Sequence, residues 1–416
     1  MKKIVIILAS ALLLAGSAFA QEKKAAPQLE NHFKLYGFVR NYFAFDTREC
    51  LSGTEDLYFY MPKDQSMSDG TDLNAVPSFR FAALTSRVGL DVFGYEFAGY
   101  KMGAKIETDF YCGVSGVTGT AQLRLRQAFV TIAKNSRTWK IGQAWHPMAA
   151  DLPDIFSLES GAPFNPFSRT PQVNFDAAFS KTVSLTAAAI WQMQYTSTGP
   201  EGASANYIKY GCTPEMYIGL NFKGKNGLFR IGADLLSIKP RRYDATGKSL
   251  VADRLTTVNV FEYGQFTTGG LTLKEKVTFA NDGSHMNMVG GYGVSGVRED
   301  GSWEYCATRN ISGWVTAQYK AKDSRWIPSI MFGYSNNLGT AKEVETGWYK
   351  NNASTIAQLV RVQPEIIYRL GKLDLGLEYM MTAAQYGKDS DFRLHASTDL
   401  HWVINHRIQA MVKFNF

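Results

Sequence analysis

KMGAKIETDF, residues 101–110, sets two lysines, a glutamate and an aspartate into a segment that alternates like a β-strand. Strand side chains point to opposite faces with period two. Lys101, Gly103, Lys105, Glu107 and Asp109 therefore share one face, and Tyr100, Met102, Ala104, Ile106, Thr108 and Phe110 share the other. One face suits water and the other does not.

The same division recurs along the chain. Arg87 and Asp91 oppose Val88, Leu90 and Val92; Arg124 and Arg126 oppose Leu123, Leu125 and Phe129. Arg230 and Asp234 oppose Phe229, Ile231 and Leu235; Arg361, Gln363, Glu365 and Arg369 oppose Val360, Val362, Ile366 and Tyr368; Asp374 and Glu378 oppose Leu375, Leu377 and Tyr379. A packed core does not hold so many charges, because buried ions need partners. A sheet with lipid on one side and water on the other does. Segments 255–267 and 271–280 are mixed, and Glu262 and Glu275 break the alternation, as at a membrane boundary or a subunit interface.

Connections between the alternating segments are of two kinds. Short ones fall near 94–99, 134–137, 180–182, 224–227, 268–270, 321–324 and 371–372, and are rich in Gly, Asn, Ser and Lys, as tight hairpins require. Long ones fall near 47–77, 111–121, 146–171, 197–213, 240–253, 281–306, 337–352 and 387–405. Seven short turns and eight long loops separate about sixteen strands, with both chain ends on the short-turn side. The fold expected is all-β: a transmembrane antiparallel barrel of about sixteen strands with short periplasmic turns and long extracellular loops. Aromatics beside the short turns, among them Phe97, Tyr100, Trp139, Phe222, Phe229, Tyr319 and Trp326, suit an interfacial girdle. Residues 392–403 could form a further strand, but that leaves an odd count, so 387–405 reads as the last outer loop with possible β extensions.

Residues 1–20 have a basic start at Lys2 and Lys3, a short apolar core and an Ala18-Phe19-Ala20 cleavage site, the layout of a secretory signal peptide. Ser17 stands where a lipoprotein signal would need a cysteine, so the mature chain is expected to start at Gln21 without a lipid anchor. Residues 21–32 then form a short periplasmic segment, and 33–416 form the barrel. Charged residues are only 19% of the chain, below the quarter or so usual in soluble domains. Without the two leader lysines the net charge of +7 falls to +5, and the basic residues are scattered singly, so no nucleic-acid partner is indicated. Cys50, Cys112, Cys212 and Cys306 lie in or beside outer loops; Cys50–Cys112 and Cys212–Cys306 are the pairings loop order favours.

A barrel of this size leaves an aqueous lumen. The third long loop, 146–171, carries four prolines, and with them Asp151, Asp154, Glu159 and Arg169. Folded inward, its acids would face Arg124 and Arg126 across a constriction and set a transverse field that sorts solutes by charge. Arg87, Asp91, Lys105, Glu107, Asp109, Arg124, Arg126, Arg230, Asp234, Arg361 and Glu365 are the expected pore-lining residues.

The last strand, RIQAMVKFNF, has Ile408, Ala410, Val412, Phe414 and Phe416 on one face. It resembles the terminal signal of bacterial outer-membrane barrels, an aromatic end with apolar residues at every second position before it. The ordered phrases GFVRNYFAFDTRE, TSRVGLDV, LRLRQAFV, IGQAWHP, GAPFNPFSRTPQV and VINHRIQAMVKFNF resemble outer-membrane porins of Bacteroidetes type, similar to the DcaP-like trimeric porins. That resemblance implies a sixteen-stranded homotrimeric barrel in the outer membrane passing small hydrophilic solutes, with an anion preference. It matches Arg124 and Arg126 to wall residues and Arg169 to a basic residue ending the constriction loop. DcaP-like proteins carry a helical N-terminal extension, whereas QEKKAAPQLENH is short and contains proline.

Two other readings stand beside the diffusion porin: a substrate-specific channel for dicarboxylate, phosphate or oligosaccharide, and an adhesin or structural barrel with a closed lumen. GYGVSG (291–296) matches a dinucleotide fingerprint but lacks the strand-then-helix setting it needs. His146, His285, His395, His401 and His406 fall in loops or at the rim and read as solvated. No catalytic constellation, cofactor or metal-ligand spacing is apparent, so no enzyme activity is expected.

Overall fold

The computed structural model describes residues 32–114, 117–244 and 246–416; the signal peptide and most of the short segment after it lie outside these. The chain forms a closed antiparallel barrel of 16 strands. They are β1 (Phe33–Asp46), β2 (Arg87–Phe97), β3 (Tyr100–Val114), β4 (Val117–Lys134), β5 (Arg137–Trp145), β6 (Arg169–Ala178), β7 (Val183–Ile190) and β8 (Glu215–Lys223). There follow β9 (Gly227–Ile238), β10 (Leu255–Thr268), β11 (Leu271–Asn281), β12 (Trp303–Tyr319), β13 (Trp326–Thr340), β14 (Ile356–Leu370), β15 (Leu373–Lys388) and β16 (Thr398–Asn415).

Each strand pairs with its chain neighbour, and β16 closes on β1 in the register Arg40↔Lys413, Tyr42↔Met411, Asp46↔Arg407. The main chains of Gly37 and Phe416 exchange hydrogen bonds of 3.2 and 3.0 Å. A Cβ on Gly37 would lie 2.6 Å from the Phe416 ring, so the glycine is the seat of the terminal aromatic. β2 has a second piece, Ser78–Ala82, paired to the upper half of β1. At the break between the pieces, Thr85 and Ser86 turn their hydroxyls to Arg40.

The alternation read from the sequence is the alternation of burial. Val88, Ile106, Leu123, Ile231, Leu377 and Ile408 are exposed on the outside, while their strand neighbours turn inward. Phe97, Tyr100, Trp139, Tyr319 and Trp326 are exposed beside the short turns. Glu262 and Glu275 also lie on the outward face, opposite Val277 and Gly264 across the β10–β11 pair.

Three boundaries differ from expectation. Strands β3 and β4 run on to Val114 and from Val117, so most of 111–121 is hairpin extension and not loop. β16 begins at Thr398, because Thr398–Asn405 pairs with the long β15 above the rest of the wall. GYGVSG lies in strand Gly290–Val297, which pairs with Trp303–Ala307 and Thr346–Lys350 in a small sheet built from loops, with no helix behind it. All four cysteines are free, correcting the expected pairings: the Cys50 thiol donates to the Arg48 carbonyl, and the Cys212 thiol to that of Lys209.

Candidate functional site

The barrel interior is partly filled by two loops. The third long loop, between Trp145 and Arg169, folds inward. Phe156 and Phe164 lie over Gly376 and Gly333 of the wall, where added Cβ atoms would stand 2.8 and 2.7 Å from the rings. Any side chain at those positions would lift the loop. Gly333→Val is expected to unseat Phe164 and raise chymotrypsin cleavage within 146–168 severalfold in the folded barrel. Unchanged cleavage would mean that the ring does not hold the loop.

The loop acids do not face Arg124 and Arg126, which corrects the transverse arrangement expected from sequence. Asp151 pairs with Arg230 on β9, Asp154 with Lys274 on β11 at 2.6 Å, and Glu159 with Arg361 on β14 at 3.6 Å. Lys276 caps the Met148 carbonyl, Glu365 accepts the Phe156 amide hydrogen at 2.8 Å, and Tyr42 donates to the Phe156 carbonyl at 2.6 Å. The loop is thus laid against the wall from β9 to β15, with a further bond to Tyr42 of β1. The Glu159–Arg361 pair is fully buried, and such a pair is weak evidence of added stability. Burial pushes the Glu159 carboxyl above the usual carboxylate range even with Arg361 beside it.

The first long loop also folds in, which the sequence reading did not anticipate. Its hairpin, Cys50–Gly53 with Tyr58–Pro62, buries Leu57, Phe59, Tyr60 and Met61. Phe59 lies between the guanidiniums of Arg361 and Arg407, 5.1 and 5.0 Å from its ring centre. Arg361 donates to the Tyr60 carbonyl in this loop and to the Ala162 carbonyl in the third, each at 2.9 Å. Arg407 donates to the Asp56 carbonyl at 2.7 Å and pairs with Asp46 at 2.7 Å. Arg361, Glu365 and Asp234, expected at the open lumen, point inward but lie under loops and are buried, and Glu107, Asp109 and Arg126, expected there too, are buried in their own ion-pair cluster. Glu159 and Arg169 are buried as well.

What the loops leave open is the β1–β5 wall. A cavity of about 90 Å³ is lined by Arg40, Arg87, Arg124 and Arg126, together with Tyr58, Tyr195 and Trp145. KMGAKIETDF supplies its acids. Arg126 bonds Glu107 at 2.7 Å and Asp109 at 2.8 Å, Arg124 bonds Asp109 at 2.9 Å, and Arg87 lies 3.7 Å from Glu107. Lys105 and Asp91 pair at 2.7 Å nearby. Arg40 Nε and Nη2 both donate to the Thr85 hydroxyl, at 3.2 and 2.8 Å, and no ion pair to Arg40 is found among the described residues. Three of the four guanidiniums therefore share two carboxylates, Glu107 and Asp109, and with Arg40 the four outnumber the two acids by two charges. Arg169 adds a buried guanidinium stacked on Trp145 and Phe167 at 4.6 and 5.2 Å. Burial pushes the Tyr195 phenol up to about 12 and Tyr58 well above its ordinary value, so both stay neutral hydroxyls. Toward the short-turn rim a wider chamber of about 570 Å³ is lined by Thr138, Lys140, Asn174, Asp176, Asn221 and Arg230 among others. Trp145 borders both spaces.

The histidines divide. His401 and His395 lie at the rim beside Asp64 and Asp391, but His146 and His285, read as solvated, are buried and share Glu215.

A closed sixteen-strand barrel with an apolar outside, a polar inside and loops folded into it is the architecture of a porin-like outer-membrane channel. Among solved structures, the chain is similar to the outer membrane channel DcaP of Acinetobacter baumannii, with TM-score 0.67 and 21% identity over 92% of this chain and 97% of that one. It is similar to the anion-selective porin from Comamonas acidovorans at TM-score 0.56 and 10% identity, covering 92% and 99%. The trimer form of OmpT from Vibrio cholerae matches at TM-score 0.51 and 11% identity, covering 92% and 99%. No family model matches the sequence, and no curated protein does.

Proposed function

We propose that the chain is an outer-membrane diffusion channel for small hydrophilic solutes, with a preference for anions, of the DcaP-like, Bacteroidetes type. The observation that carries this reading is the excess of arginine over acid around the narrow cavity. Export by the signal peptide 1–20 and residence in the outer membrane fit the leader and the exposed apolar belt. A homotrimer is supported by the outward acids Glu262 and Glu275, which lipid alone would leave poorly solvated and a neighbouring subunit could cover. The trimer form of the Vibrio barrel is of the same fold.

The small size of the cavity favours a second reading, a channel specific for one class of anionic solute such as dicarboxylate or phosphate. Single-channel recording in planar bilayers separates these. Ohmic steps with a chloride-selective reversal potential support the diffusion porin. Block of the current by micromolar solute supports the specific channel. Cation selectivity would overturn the anion preference, and absence of conductance would leave the closed-lumen barrel.

A further inference from the structure

Two histidines and two carboxylates meet away from the arginine cavity. His146 opens the third loop, His285 lies in the turn Gly283–Met286, Glu215 begins β8, and Asp234 sits within β9. All four are buried, none more than 2% exposed. The Nε2 atoms of His146 and His285 converge on Glu215 Oε1 at 2.8 and 3.1 Å. His285 Nε2 is also 3.9 Å from Asp234 Oδ2. One donor atom each from His146, Glu215 and Asp234 lies within 4.8 Å of the other two.

A second observation points to a ligand. Glu215 Oε2 and Asp234 Oδ1 are buried, and neither has a hydrogen-bond partner among the described residues. Buried carboxylate oxygens are rarely left so. Asn259 Nδ2 donates to Asp234 Oδ2 at 3.1 Å, the kind of outer bond that orients a ligating carboxylate.

We propose that this cluster binds one divalent transition-metal ion, and so pins the third loop and the 282–287 turn to the barrel wall. Two carboxylates match a divalent charge. Imidazole nitrogen with carboxylate oxygen suits zinc and its neighbours, whereas magnesium and calcium take oxygen. His146 Nδ1 accepts the Met148 amide hydrogen at 3.1 Å, which places the ring proton on Nε2, toward Glu215. Ligation at Nε2 moves that proton to Nδ1. Two hydrogen bonds, from His146 Nε2 to the Glu215 carboxylate and from the Met148 amide to Nδ1, are then traded for a metal–nitrogen bond and the neutralisation of two buried acids.

The test is to refold the full chain in detergent with Zn²⁺ or Co²⁺, desalt it, and count metal per chain. Wild type is expected to keep about one ion, and Glu215→Gln roughly tenfold less or lower still. Co²⁺ should give a visible band of mixed nitrogen and oxygen ligation that Zn²⁺ abolishes. Heat-modifiable migration on a gel reports folding; if Glu215→Gln fails to fold, His285→Asn is read in its place. Folded wild type without metal, or equal metal in wild type and variant, overturns the site. If neither variant folds, the wild-type Co²⁺ band decides, and its absence overturns the site.

Discussion

Replacing Arg361 by methionine is expected to raise single-channel conductance by about twofold or more, because one guanidinium holds both loops in the lumen. Its Nη1 and Nη2 atoms reach the Ala162 and Tyr60 carbonyls at 2.9 Å each, and its Nε reaches Thr382 at the same distance. Charged hydrogen bonds of this kind contribute about 1.5–3 kcal/mol each. Its face covers Phe59 and Phe164, each 5.1 Å away, and stacking of that kind can add about 1–2 kcal/mol when desolvated. Methionine keeps much of the bulk and gives up every one of the bonds. The barrel wall does not depend on them: the ladder through β13, β14 and β15 is main-chain pairing. The loops are therefore the part that yields, and Glu159, buried without Arg361, adds its own reason to leave. Limited proteolysis should report both loops together, with cleavage rising in 47–77 and in 146–168. An unchanged conductance with both loops still protected would show that Glu365, Lys274 and Lys276 hold the third loop unaided.

How much of this could be read from the sequence depends on the range of the interaction involved. Strand faces were legible because alternation is local: Lys105, Glu107 and Asp109 turn inward, and their partners come from strands directly beside them. Closure was legible because the final strand repeats the same alternation up to Phe416. The route of the loops was not. Asp151 meets Arg230 and Asp154 meets Lys274 across separations of 79 and 120 residues, set by the path of the loop through the lumen. Nothing in the local pattern of HPMAADLPD favours that wall over the arginines of β4. The first loop did carry a signal: Leu57–Met61 is an unbroken apolar run, which a solvated loop has no cause to hold. The convergence of His146 and His285 on Glu215 spans 69 and 70 residues and leaves no trace in spacing.

Neutralising Arg87 and Arg124 together, each to glutamine, is expected to abolish the anion preference proposed above. These two are the most accessible of the four cavity guanidiniums, with side chains 21% and 20% exposed against 6% for Arg126. Reversal of Arg126 is the poorer test. It is bonded to both Glu107 and Asp109, and a glutamate there would crowd three carboxylates into a buried site. With both substitutions the excess of two positive charges among the four lining guanidiniums falls to none, and Arg169 stays buried on Trp145 and Phe167. A unit charge about 5 Å from a monovalent ion acts on it with roughly 0.8 kcal/mol in water and less in salt, so each lost arginine should lower the anion-to-cation permeability ratio severalfold. The reversal potential in a potassium chloride gradient should accordingly move to near zero. Raising the salt should shrink the wild-type preference in the same direction, since the cavity opens to solvent. Glutamine keeps the polar lining and much of the length, so conductance at high salt should change little. If the potential stays at its wild-type value while conductance is also unchanged, permeating ions pass elsewhere, and the arginine cavity is no part of their route.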